Sequence, residues 1–182
     1  VGSEARIVDI SPDDWQPTDD SLVRAIRKAE REGVQVIPFS RKEHYASFIE
    51  LTEHAKPGQK RDSMYSHSFF ERLAILSETE DRIRWYAAID DGRLVASHIY
   101  LVDKNKLTYW QAFSKREDSS LKANQFLMYK AVCQDSRDGI KLLNLGQTPT
   151  GADSLADYKR RWGGSMHRYR CLQKQTMLGR IL

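Results

Sequence analysis

The chain of 182 residues carries a net charge of +4, with 40% hydrophobic and 30% charged residues. That balance is enough to bury a core and excludes a disordered polyelectrolyte. No apolar run approaches the roughly 20 residues of a membrane-spanning helix, and the first residues lack a leader pattern. Cys133 and Cys171 stand far apart and without metal-ligand spacing, so reduced thiols, no metal site and a cytoplasmic setting are expected.

In chain order, residues 5–10 read as a short strand and residues 11–20 as a Pro- and Asp-rich connector. Residues 21–32 place Leu22, Ile26 and Ala29 on one helical face and Arg24, Arg27, Lys28 and Arg31 on the other, with Gly33 as the stop. The basic face is either a solvated surface relieved by Glu30 and Glu32 or a contact for phosphate. Residues 34–39 alternate as a strand. Ser40-Arg41-Lys42-Glu43 then reads as a capping box for a helix that turns Tyr45, Phe48, Ile49 and Thr52 inward. A second box, Ser68-Phe69-Phe70-Glu71, opens a helix carrying Phe69, Phe70, Leu73 and Leu76.

Three strands follow at residues 83–89, 93–102 and 107–113, joined by Asp90-Asp91-Gly92 and Asp103-Lys104-Asn105 in an antiparallel meander. Ser119 or Ser120 caps the next helix, whose apolar face is Leu127, Met128, Ala131 and Val132. A buried strand spans residues 140–145, and a last strand spans residues 166–174. Between these two strands, Gly146, Pro149 and Gly151 break regular structure, and Leu155 and Tyr158 resume helical spacing. Lys159, Arg160, Arg161, Arg168 and Arg170 against Asp157 give residues 154–170 a net charge equal to that of the whole chain. So local an excess suits one anionic partner, although Lys159–Arg161 also read as plain helix-end cations before a Gly cap.

The run Asn144-Leu145-Gly146, a Gly-containing loop, and Tyr158-Lys159-Arg160-Arg161-Trp162-Gly163-Gly164 resembles the end of the Fem-type acyltransferases. In that family a Phe-Lys-(Arg/Lys)-x-Phe-Gly segment follows an Asp-Phe-Gly strand end. The basic run Arg24–Val34 is similar to the family's basic helix, and Asn124–Ala131 stands where its central helix falls. The order of elements resembles the GNAT acyltransferase fold, an α+β architecture with a mixed, mostly antiparallel central sheet flanked by helices. Residues 1–33 are then an N-terminal extension bearing the basic helix, and residues 34–182 the acyltransferase domain. Fem-type enzymes hold two such units, so the chain is expected to be a fragment of a longer two-unit protein or a unit working alone.

The resemblance implies transfer of an aminoacyl or acyl group to an amine of a cell-wall or surface precursor such as a peptidoglycan precursor. Aminoacyl-tRNA would be the anionic donor, and no cofactor is expected. The family's Phe-Lys pair falls on Tyr158 and Lys159, while Asn144 replaces an Asp. N-acyl transfer needs an oriented amine, an exit for its proton and donors for the oxyanion. His98, on the middle meander strand, is the candidate proton acceptor, or else a satisfied core histidine. Tyr109 and Gln111 are expected to share one strand face and line the acceptor pocket. Asn144, Gln147, Arg161, Arg24 and Lys28 complete the expected substrate contacts.

Acyl-CoA-dependent relatives carry a Gly-rich turn before the central helix that cradles pyrophosphate. Residues 114–124 contain no glycine, which disfavours coenzyme A without removing acyl-CoA as the alternative donor. A catalytically silent module that binds RNA or protein is the third reading.

Overall fold

The computed structural model describes residues 2–11, 15–53, 65–115, 117–149 and 151–170. Strand β1 (Gly2–Asp9) leads to helix α1 (Asp20–Arg31), whose N-terminus is capped by the Asp19 carboxylate through the N–H groups of Ser21 and Leu22. Leu22, Ile26 and Ala29 are its buried stripe, as the spacing predicts. Strand β2 (Gln35–Pro38) and helix α2 (Arg41–Glu53) follow. Ser40 Oγ accepts from the Glu43 N–H at 3.3 Å, but the return arm of the box comes from His44, whose Nδ1 accepts from the Ser40 N–H at 2.9 Å.

Helix α3 (His67–Ser77) starts two residues earlier than its Ser68 box suggests, because Ser66 is the residue whose side chain accepts from the Phe69 N–H. Phe70, Leu73 and Ala74 are buried, while Phe69 and Leu76 stay 37% and 47% exposed.

Strands β3 (Ile83–Asp90), β4 (Arg93–Asp103) and β5 (Lys106–Ser114) form the expected meander. A 3-10 turn over Glu117–Leu121 then absorbs Ser119 and Ser120, so neither caps helix α4 (Ala123–Arg137). Its cap position is Lys122, at φ 57° and without a side-chain cap bond. Strand β6 (Leu142–Thr148) runs three residues past the expected end at Leu145, because Leu145 and Gly146 are accommodated as an irregularity of the ladder to β1. Helix α5 (Asp153–Arg160) and strand β7 (Ser165–Arg170) close the described chain. Cys171 and the rest of the expected last strand lie outside the described residues.

The strands form one sheet in the order β2-β3-β4-β5-β6-β1-β7, antiparallel except for the β5–β6 pair. The architecture is the mixed, mostly antiparallel sheet between helices that the sequence implies. One face carries α1 and α4 over Val8, Leu22, Ala96, Tyr100, Leu127 and Leu143; the other carries α2 and α3 over Phe48, Leu51, Phe70, Trp85 and Ile99.

The stretch read as an extension supplies an inner strand and a core helix. β1 lies between β6 and β7, and Val8, Ile10, Leu22, Ile26 and Ala29 share the first core. Gly164 permits this arrangement: at φ +75° it passes so close to Ile7 that a Cβ would fall 2.1 Å from the Ile7 carbonyl oxygen. The Gly163-Gly164 pair is therefore more than a helix stop.

Candidate active site at the strand fork

Strands β5 and β6 pair only over Lys106–Thr108 and Leu142–Asn144, and then separate. Beyond that point β6 fits an extra residue against β1, since Ala5 faces Gln147 while Ile7 faces Asn144. Gly146 makes the turn at φ +74°, where a Cβ would sit 3.1 Å from the Tyr109 carbonyl oxygen. Asn144 Oδ1 fixes the bend by accepting from the Gly146 N–H at 2.9 Å. An amide oxygen suffices for that task.

Strand separation leaves the carbonyls of Gly146 and Gln147 facing the Lys159 ammonium. Nζ donates to them at 2.9 and 2.8 Å, and no carboxylate is ion-paired with it among the described residues. Lys159 is 5% exposed, and burial lowers its pKa from 10.5 to about 8. An ammonium has three N–H groups. Among the described residues two are used and one is left.

The cation triplet divides. Lys159 turns inward, Arg160 pairs with Asp157 at 3.1 Å, and the exposed Arg161 lies near the capping carboxylate Asp19. Tyr158 packs edge-on against Trp162, with ring centroids 6.3 Å apart, and burial holds its phenol up at about 12. Trp162 is buried and stacks on Trp15, which in turn stacks on Tyr129 of α4. This aromatic ladder ties the connector after β1 to the helix that carries Lys159. The lone Trp15 in a polar segment gave no sequence signal for it.

On the opposite wall, His98 is fully buried and lies in register between Tyr86 and Ala112. Its Nδ1 is 3.1 Å from the Tyr100 hydroxyl and its Nε2 is 3.0 Å from Asn124 Oδ1, while Asn124 Nδ2 donates to Ser114 Oγ at 2.6 Å. Burial pushes the His98 pKa down to about 4, against a smaller opposing effect of Asn124. Both ring nitrogens are occupied, which is the satisfied state rather than that of a free proton acceptor.

Tyr109 stands 5.1 Å from the His98 ring. Gln111 does not join it. A bulge at Trp110 sets Tyr109 opposite Tyr100 but Gln111 opposite Ile99, and these two partners belong to opposite cores. Strict alternation failed here because one extra residue shifts every later side chain to the other face.

The remaining expected contacts are spread out. Gln147 is exposed and offers its carbonyl to Lys159. Arg24 is exposed on α1, whereas Lys28 is half-buried and donates to the Ser120 carbonyl at 2.9 Å, bracing the 3-10 turn before α4. Sequence reasoning missed Asn124 and Ser114. Their signal was faint: two polar residues at the last position of a strand and in the first turn of a helix.

Residues 19–160 match the family described as an acetyltransferase (GNAT) domain. The chain belongs to that GNAT family. Among solved structures, this GNAT chain is similar to FemX (TM-score 0.68, 13% identity, 90% of this chain and 59% of that one) and to L-PGS from Bacillus licheniformis (0.64, 13%, 91% and 58%). It is also similar to the ribosomal-protein-S18-alanine N-acetyltransferase from Escherichia coli (0.55, 13%, 69% and 74%). At these identities the likeness is one of fold. The chain spans under two thirds of the length of the first two. No curated protein matches it in sequence. Among the described residues, no helix is long and apolar enough to cross a membrane.

Proposed function

We propose that the chain transfers an aminoacyl or acyl group to an amine in the Fem-type manner, with the fork between β5 and β6 as the transfer site. The observation that carries this reading is the Lys159 ammonium at the fork. It is buried and held by two carbonyls, and among the described residues it meets no carboxylate and has one N–H to spare. A structural cation is normally neutralised, whereas a cation kept in a dry site without a counter-ion is suited to an anion that exists only during reaction.

In the proposed step the amine nitrogen attacks the donor carbonyl carbon, and Lys159 donates its third N–H to the developing oxyanion. Collapse forms the C–N bond and breaks the bond to the leaving oxygen of an aminoacyl ester or the sulfur of a thioester. The proton lost by the amine ends on that leaving atom. Tyr158, one residue from Lys159 and protonated throughout the physiological range, is suited to relay it, giving its phenol proton to the leaving atom and taking up the proton that the amine loses.

Aminoacyl-tRNA is the favoured donor, with a cell-wall or surface amine as acceptor and the cytoplasm as the setting. The similarity to FemX over most of this chain supports that choice. So does the braced, glycine-free turn before α4, where Lys28 holds the Ser120 carbonyl and Lys122 takes the left-handed position. Acyl-CoA is the second donor reading, supported by the acetyltransferase family match. The test is single-turnover transfer to a panel of amines from charged tRNA and, separately, from acetyl-CoA. Transfer from tRNA alone supports the Fem-type reading. Transfer from acetyl-CoA alone replaces it with the second.

A further inference from the structure

We propose that Asn124 is a positioning residue of the fork, acting with His98 as a neutral side-chain bracket that fixes the free half of β5 against α4. The inference rests on the reading that transfer occurs at the fork.

Past Thr108, β5 keeps β4 on one edge but has no register with β6 on the other. Its last residue, Ser114, is held by a side chain instead, through the 2.6 Å bond from Asn124 Nδ2. An amide oxygen only accepts, so His98 Nε2 at 3.0 Å carries the hydrogen, and Nδ1 is left to accept from the Tyr100 hydroxyl at 3.1 Å. Every member has its partner, and the chain of bonds runs in one direction from Tyr100 through His98 and Asn124 to Ser114. It joins β4, β5 and the first turn of α4 where the β5–β6 ladder has stopped.

The ring has no nitrogen left for a substrate proton. The groups around it are the phenols of Tyr86, Tyr100 and Tyr109, with Tyr158 of α5 acting on the latter two. The nearby carboxylate of α4, Asp135, is taken by the Tyr86 hydroxyl at 3.0 Å. No carboxylate hydrogen-bonds to His98 among the described residues. The bracket is therefore uncharged wherever the fold is intact near neutral pH.

The experiment uses the full chain with 15N-labelled histidine. Long-range 15N–1H spectra should show His98 as the Nε2–H tautomer with no titration between about pH 5.5 and 8.5. In Asn124→Ala, amide exchange across residues 109–114 should rise tenfold or more while that of β3 stays unchanged, and the kcat of transfer should fall at least tenfold. Ser114→Ala, which removes a single bond, should move both in the same direction by less; it serves if Asn124→Ala does not fold. Asn124→Asp places a carboxylate on His98, so the ring should titrate within the window and the pH–rate profile should gain an inflection absent from the natural protein.

An Nδ1–H tautomer, a wild-type ring that titrates together with the transfer rate, or unchanged exchange in both Asn124→Ala and Ser114→Ala would overturn the bracket. If neither charged tRNA nor acetyl-CoA is turned over, the functional reading fails by itself, and the tautomer and exchange data still decide the bracket.

Discussion

Replacing Lys159 by methionine separates the structural and chemical roles of this side chain, because the two respond on different scales. Methionine keeps the length and the burial but removes both the charge and the donors. The Gly146 and Gln147 carbonyls then lose the donor at 2.9 and 2.8 Å, part-buried hydrogen bonds to a charged group worth about 1.5–3 kcal/mol each. Against this, the variant no longer buries a cation. The fall from 10.5 to about 8, at about 1.4 kcal/mol per pH unit, bounds that relief at about 3 kcal/mol near pH 7. The net change is a destabilisation on the order of 1–2 kcal/mol, while single-turnover transfer should fall by about a hundredfold or more.

A pH series gives the sharper readout. The folded state holds the Lys159 proton less tightly than the unfolded chain, so between about pH 8 and 10.5 the unfolded state binds more protons and stability rises with pH. That contribution is lost as pH falls through about 8. Urea unfolding of the natural protein and of Lys159→Met across this window should therefore diverge, the natural protein gaining up to about 3 kcal/mol on the variant. Parallel curves would show that the ammonium is not desolvated, and unimpaired transfer would remove it from the chemistry.

Gly164→Ala should cost at least about 3 kcal/mol, since the new methyl meets the Ile7 backbone and the φ is left-handed; Gly139→Ala, at φ +88° with open space around it, should cost about 1 kcal/mol. Thermal melts of the two variants check the contrast, and equal shifts would contradict it. Asp135 is fully buried, and burial raises its pKa from 3.8 to about 6, so its contribution is complete below about pH 4 and lost as pH rises through 6. Asp135→Asn should flatten the pH dependence of urea stability in that window by about 3 kcal/mol, and an unchanged slope would count against a desolvated carboxylate. Arg24→Glu should weaken tRNA binding and reduce its salt dependence without moving the melting temperature, whereas Lys28→Glu should also cost up to about 1 kcal/mol through the lost Ser120 contact. Calorimetry with acetyl-CoA should show weak binding or none, and a stoichiometric micromolar complex would contradict the inference from the glycine-free turn.

The element order and the buried stripe of α1 were legible because Leu22, Ile26 and Ala29 recur at helical spacing, and the meander because two hairpin turns bound three alternating runs. The Tyr158-Lys159 resemblance singles out Lys159 as a candidate, but its carbonyl partners were not legible: they exist because β6 parts from β5, which is a relation between distant segments. Local irregularities defeated the finer readings. The Trp110 bulge separates Tyr109 from Gln111, and α3 buries Phe70, Leu73 and Ala74, which leaves Phe69 and Leu76 on its outer side. The placement of β1 between β6 and β7 depends on the close approach of Gly164 to Ile7, and a glycine after a helix gives no hint of which backbone it will meet.

The proposed role of the Lys159 ammonium, held by two carbonyls at the β5–β6 fork, is to stabilise the oxyanion of an aminoacyl or acyl transfer. Single-turnover transfer from a charged tRNA to an amine, comparing the natural protein with Lys159→Ala and Lys159→Arg and using circular dichroism to check the fold, tests it most directly. Transfer should fall by about a hundredfold or more in Lys159→Ala and recover in part in Lys159→Arg, whose planar fork cannot reproduce a point ammonium. Transfer at the natural rate by folded Lys159→Ala would contradict it.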